Sequence, residues 1–182
     1  MGKIFDPRCV DEFRDKPSWS VPFVPEHKLD YPDAYGPPVI GFYQNPEIKE
    51  KIRILRNEAK LKGEKNLGSY VRDRYKPPFA MSNAPDAAYV DGALAVEANK
   101  LLDEYQTKAS KPFFLAVGFK RPHLPFTAPK KYWDLYDASK IEISKYQQDS
   151  KNGPSIAYHS SGELRSYICL LYTSDAADDA LS

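Results

Sequence analysis

Residues Lys111–Tyr136, KPFFLAVGFKRPHLPFTAPKKYWDLY, decide how the rest of the chain is read. Phe113 to Phe119 is an unbroken run of seven apolar or small residues, and it stops at a cationic turn. That turn carries Lys120, Arg121 and His123, with Pro122 and Pro125 on either side of the histidine. A continuous aromatic and aliphatic run of this length predicts a strand buried on both faces, as in a helix-covered parallel sheet. In open α/β sheets ligands sit in the crevice beyond the carboxyl ends of such strands. The turn therefore places two permanent cations and one titratable imidazole where an anionic substrate would be held.

Outward from this stretch, a helix is expected on its N-terminal side, from about Asp86 to Lys108, with Leu94, Ala98, Leu101, Leu102 and Tyr105 on one face. Asp86 or Asp91 can cap it. A helix, a short loop and an apolar strand make half of a βαβ unit, so the fold class is α/β. A first helix is expected over Glu47–Lys62, with proline at its start, an apolar stripe of Ile48, Ile52, Leu55 and Ala59, and Gly63 at its end. Between the two helices, Glu64 to Pro85 reads as polar loop. Pro129 opens a short helical turn through Leu135, and Ser144 to Ser161 is polar loop. Residues 6–46 are dense in proline and in aromatics such as Trp19, Phe23, Tyr31 and Tyr43, which predicts long ordered loops packed on a body.

Composition sets the outer bounds. The chain has 182 residues, 42% hydrophobic and 28% charged, enough for one domain with a sizeable core. Its formal charge of +1 lacks the clustered basic excess of a nucleic-acid platform. No window predicts a membrane span. Cys9 and Cys169 are too few for a disulfide framework or a metal site.

Both ends read as unnatural boundaries. GKIFDPRCVDEF begins as though inside a structured element. Cys169–Asp178, CLLYTSDAAD, resembles the translated read-through of a sequencing-library adapter, so residues 169–182 are expected to be an artefactual tail and residues 1–168 the natural part. Without that tail the chain carries 26 bases against 22 acids, or +4.

Two readings of His123 stand on the residues alone. An imidazole there can donate to an anionic oxygen or protonate a leaving alkoxide; equally, it can cap a strand end through a backbone contact. Lys3, inside an apolar flank, reads by pattern as a lysine reaching to the surface. His27 and His159 read as solvated loop residues, and Lys120 and Arg121 as a solvated cationic face. No pair of histidines has helical ligand spacing, and no glycine-rich phosphate loop or GxSxG elbow is present.

FFLAVGFKRPHLPF followed by APKKYWDLY closely resembles the strand and loop that carry a substrate-site histidine in the sulfatase family, in its iduronate-sulfatase-like branch. GKIFDPR resembles that branch's GK-[VI]-F-[HD]-P segment, SWSVPF the aromatic patch after it, DGALAVEANKLLDEY the helix before the strand, and HSSGELRSY the loop before the next core helix. The resemblance implies an internal fragment of an alkaline-phosphatase-like α/β enzyme that hydrolyses sulfate esters of carbohydrates. It would have a mostly parallel sheet flanked by helices and long proline-rich loops. It further implies a formylglycine nucleophile, a calcium ion and export from the cytoplasm. The C-x-P-S-R motif that yields formylglycine, the paired N-terminal aspartates and the later DHG-type metal segment do not occur in this sequence. The nucleophile and calcium ligands are thus expected outside the fragment, which would be inactive alone. By the same resemblance Lys3 matches a lysine that contacts the sulfate group, and His123 a histidine on the ester or leaving-group side. Asp6 stands where animal members have a histidine. It would accept a proton from the geminal diol or orient Lys3. Two alternatives remain: a phosphoesterase of the same superfamily, and a non-catalytic module that binds anions or carbohydrate.

Overall fold

The computed structural model describes residues 1–4, 19–21, 23–108, 111–142, 145, 151–157 and 166–167. Asp6, both cysteines, His159 and the whole of residues 169–182 lie outside them.

Helix α1 spans Pro46–Leu61. Its start follows from chemistry at two adjacent residues. Asn45 Oδ1 accepts hydrogen bonds from the amides of Glu47 and Ile48 (3.0 and 3.1 Å), and Pro46 occupies a first-turn position where no amide donor is needed. It stops at Gly63, whose φ of 71° lets the amides of Lys62, Gly63 and Glu64 fold back onto the carbonyls of Glu58, Lys60 and Ala59. The expected stripe of Ile48, Ile52, Leu55 and Ala59 is buried, packed with Tyr43, Tyr70, Val71 and Ala80.

The segment expected to be loop between the helices contains two regular elements. Helix α2, Leu67–Arg72, is capped by Asn66 and buries Tyr70 and Val71 against α1. Strand β1, Phe79–Ser82, follows it. Both are too short for a hydrophobic period to emerge, and each is ordered by a partner: α2 packs on α1, and β1 pairs with a later strand. The Tyr70 hydroxyl donates to Glu58 Oε1 (2.7 Å), and the Tyr43 hydroxyl to the Pro77 carbonyl (2.5 Å).

Helix α3, Val90–Lys108, follows a 3-10 turn at Asp86–Ala88. Its buried face is Val90, Ala93, Leu94 and Ala98, gathered with Met1 and Leu29 and flanked by Leu101, Leu115, Val117 and Phe42. Leu102, expected on that face, is 43% exposed. It sits one residue past Leu101, about 100° round the helix, and so points away from the core.

The apolar run does not form the doubly buried strand expected of it. Leu115 and Val117 pack on the α3 cluster, but Phe114 is 89% exposed, and Phe113 and Phe119 are exposed as well. Among the described residues its pairing is one parallel bridge, Gly2 with Gly118. Around that bridge the Met1 nitrogen donates to the Ala116 carbonyl, the Gly118 amide to Met1, and the Lys3 amide to Gly118 (2.9, 3.0 and 2.7 Å). Among the described residues, α3 covers one face of the run, and the opposite face carries Phe114.

The parallel sheet of the described residues instead joins β1 to a strand just downstream of the histidine. Strand β2, Phe126–Pro129, lies parallel to β1 in the register Phe79↔Phe126 to Ser82↔Pro129. A parallel pair requires a crossover connection, and here it contains α3 and the apolar run. The fold is α/β, with the sheet made by residues other than those the apolar pattern nominated. Helix α4, Lys130–Trp133, begins directly after β2 at Pro129, as the sequence indicates.

Candidate functional site

The site is assembled on the turn between the apolar run and β2. Four backbone amides are available from Lys120 to Pro125, because Pro122 and Pro125 have none to give. Two of them, from Lys120 and Arg121, donate to the two carboxylate oxygens of Asp91 (2.8 and 2.9 Å). Asp91 stands in the first turn of α3, where the helix dipole favours a negative charge. The His123 amide donates to the Lys120 carbonyl (2.8 Å), closing the turn.

Arg121 closes the other side. Its Nη1 donates to the carbonyls of His123 and Pro125, and its Nη2 to Thr127 Oγ1 (2.7 Å) in β2. Burial pulls the guanidinium below its ordinary pKa, an effect opposed by the Asp91 carboxylate. It nevertheless stays charged, given how far above neutral arginine titrates. Lys120 pairs with Glu26 Oε1 (2.6 Å) and lies 3.6 Å from the centre of the Phe42 ring, its side chain 15% exposed. A desolvated ammonium over an aromatic face gains from the ring quadrupole. Neither cation is the solvated face that its sequence context suggests. Arg121 spends its donors on the turn itself, and Lys120 ties the turn to the 3-10 turn at Glu26–Lys28.

His123 is exposed at the tip. Its Nδ1 lies 2.7 Å from the Leu124 carbonyl, which can only accept, so Nδ1 carries the proton. In a neutral ring the lone pair is then on Nε2. The capping reading of His123 is met at Nδ1, which holds the Leu124 carbonyl.

Lys3 is exposed, and its amide pairing with Gly118 sets it beside the segment that leads into the turn. The two residues that resemblance nominated are therefore joined through neighbouring backbone. Asp6, the third, lies outside the described residues. His27 is exposed in its 3-10 turn. Sequence reasoning assigned Asp91 at most a helix-capping role, counted Phe42 only among the packing aromatics, and gave no role to Glu26 or Thr127. Asp91 lies 29 residues before the amide it accepts from, and no local spacing rule connects them.

Beneath the turn is a cavity of about 420 Å³ between the start of α3 and β2, lined by Phe42, Tyr89, Asp91, Phe119, Arg121 and Tyr132 among others. The Tyr89 hydroxyl bridges Ser82 and the Ala128 carbonyl (both 3.0 Å), and burial raises its pKa. Among the described residues, no three His, Cys, Asp or Glu side chains converge as a metal site would require. Asp91 has both oxygens committed to amides, and Asp86 is ion-paired with Lys131 (2.6 Å). The described residues therefore do not fit a calcium ion. None of their helices is long and apolar enough to cross a membrane.

No family model matches the chain. Among curated proteins it is similar to iduronate 2-sulfatase of Mus musculus, 34% identical over 88 residues, and to that of Homo sapiens, 33% identical over 88 residues. Each match takes in 48% of this chain and 16% of the relative. A protein named sulfatase from Formosa agariphila is 43% identical over 54 residues, covering 30% of this chain and 11% of that protein. The chain thus spans under a fifth of the length of these relatives. Identity at these levels over partial stretches supports a relationship to the sulfatase family.

Proposed function

We propose that the complete protein is a sulfuric ester hydrolase acting on sulfated carbohydrate, and that this part of it supplies Lys3 and His123 to the sulfate-binding site. The observation that carries the reading is the backbone pairing of Lys3 with Gly118 in a chain similar to sulfatases. That pairing sets the backbone of Lys3, an exposed residue, beside the segment that leads to the exposed His123.

The chemistry asks for such donors. As the S–O bond breaks, negative charge grows on the bridging oxygen and stays high on the sulfuryl oxygens, so fixed cations and donors lower the barrier. Lys3 would hold a sulfuryl oxygen. His123, its Nδ1 proton engaged by Leu124, would present Nε2 to the ester oxygen and, when doubly protonated, hand its proton to the departing alkoxide.

In this reading the formylglycine nucleophile and the calcium ligands belong to other parts of the protein, and the 182-residue chain alone is inactive. The carbohydrate substrate and export from the cytoplasm follow from kinship and belong to the proposal.

The test is to recover the complete gene, express the enzyme, and assay it on an aryl sulfate, a sulfated oligosaccharide and the matching phosphate esters. His123→Ala is expected to lower kcat/KM about 10²–10⁴-fold, the usual contribution of a positioned acid, and Lys3→Ala about 10²–10³-fold. Wild-type rates in His123→Ala, or faster turnover of the phosphate esters, would reject the reading.

A further inference from the structure

We propose that Asp91 is a positioning residue for His123, and that Arg121 forms the second side of the same clamp. The assignment rests on the reading of His123 as a sulfate-site residue, but its geometry stands apart from that reading.

The turn cannot hold itself by a regular ladder, because two of its residues are prolines. Its polar backbone is instead satisfied by two side chains of opposite charge. One carboxylate takes the amides of Lys120 and Arg121 on the entry side. One guanidinium takes the carbonyls of His123 and Pro125 on the exit side and is tied to Thr127 in β2. Thr127 is 3% exposed, so this anchor is set in packed structure. The His123 backbone is gripped at both ends, its amide by Lys120 and its carbonyl by Arg121. The position of the imidazole is thereby inherited from α3 and β2. Such anchoring matters where chemistry needs it, since a misplacement of about 1 Å can cost a hundredfold in rate.

Asp91→Asn is the sharp variant. It preserves volume and one acceptor but replaces the second oxygen with an NH₂ group, which cannot accept an amide. Hydrogen bonds to charged groups are the stronger kind, so losing one is expected to raise amide exchange at Lys120 or Arg121 about tenfold. Exchange at Ile52 and Leu55 in α1 should not change.

The experiment is NMR on the complete protein, reading those amides and the His123 ring signals during titration with sodium sulfate against sodium chloride of equal ionic strength. Wild type should show a saturable shift at His123. Asp91→Asn should weaken its midpoint about tenfold, and Asp91→Glu, which keeps both acceptors, should recover part of the loss. Should Asp91→Asn loosen α1 as well, Thr127→Val decides, since it removes the outer anchor of Arg121 and should raise the same local exchange. Unchanged exchange at Lys120 and Arg121 in these variants would overturn the clamp. Sulfate binding at His123 that is equal in wild type and Asp91→Asn would overturn its positioning role. A wild-type His123 that ignores sulfate, while the amides still respond to Asp91→Asn, would sink the sulfate-site reading and leave the clamp standing.

Discussion

Gly2 and Gly118 meet backbone to backbone: a Cβ on Gly2 would lie 2.2 Å from the Gly118 carbonyl oxygen, and a Cβ on Gly118 would lie 2.3 Å from Lys3. The contact leaves no room for a side chain on either residue, and Gly2 also has a φ of 70°. Gly118→Ala is therefore expected to force the two segments apart and to destabilise the fold by about 2 kcal/mol, in the range of overpacked interiors. Urea unfolding of the chain reads this directly. In the complete enzyme the same variant should also reduce turnover, since it moves Lys3 away from the segment that carries His123. A variant of wild-type stability would show that the contact is looser than described.

The α1 core supplies a second expectation. Ile52 is 1% exposed, whereas Leu61, on the same helix, is 90% exposed. Ile52→Ala should cost about 2–5 kcal/mol through lost burial and the cavity it leaves. Leu61→Ala should stay within about 0.5 kcal/mol of wild type. Equal losses for the two in urea titrations would contradict the helix orientation.

Asn45 provides a third. Its side chain takes the first two donors of α1, so Asn45→Ala should cost about 1 kcal/mol, and Asn45→Asp should keep the cap. Comparison of their denaturation midpoints separates capping from a general effect of substitution.

Alkaline pH supplies a fourth. Burial, with Glu26 adding to it, pushes the Tyr31 phenol from 10.0 up to about 12. The folded state thus holds a proton that the unfolded chain has released between those values, and unfolding is favoured as pH rises. The contribution of Tyr31 is fully present below pH 10 and is lost as pH climbs toward 12. Stability measured against pH should fall across that window, and Tyr31→Phe should flatten part of the slope. An identical slope in the variant would mean that Tyr31 is not the group titrating.

Local chemistry made α1 legible from the residues alone. A cap, a first-turn proline, a stripe at helical spacing and a terminal glycine all fall within one stretch, and each acts through neighbours in sequence. The α3 helix and the short turn after Pro129 were readable on similar terms. The resemblance to sulfatases was likewise carried by contiguous residues, and the comparisons agree with a sulfatase relationship. The short elements between α1 and α3 were not legible. Strand β1, for example, has four residues and no period of its own, and its order comes from β2, 47 positions away.

Burial and charge pairing were settled only in three dimensions. The same apolar composition that predicts a doubly covered strand describes a segment with one covered face, because which surfaces meet depends on partners distant in the chain. Lys120 and Arg121 look alike in sequence as cations past an apolar run. One is paired with Glu26 and the other clamps its own turn, because the fold brings an acid from residue 26 and another from residue 91 to the same place. The type and order of side chains specified the local elements and the chemistry on offer. Long-range packing decided which of those groups are exposed and which hold the backbone of the turn.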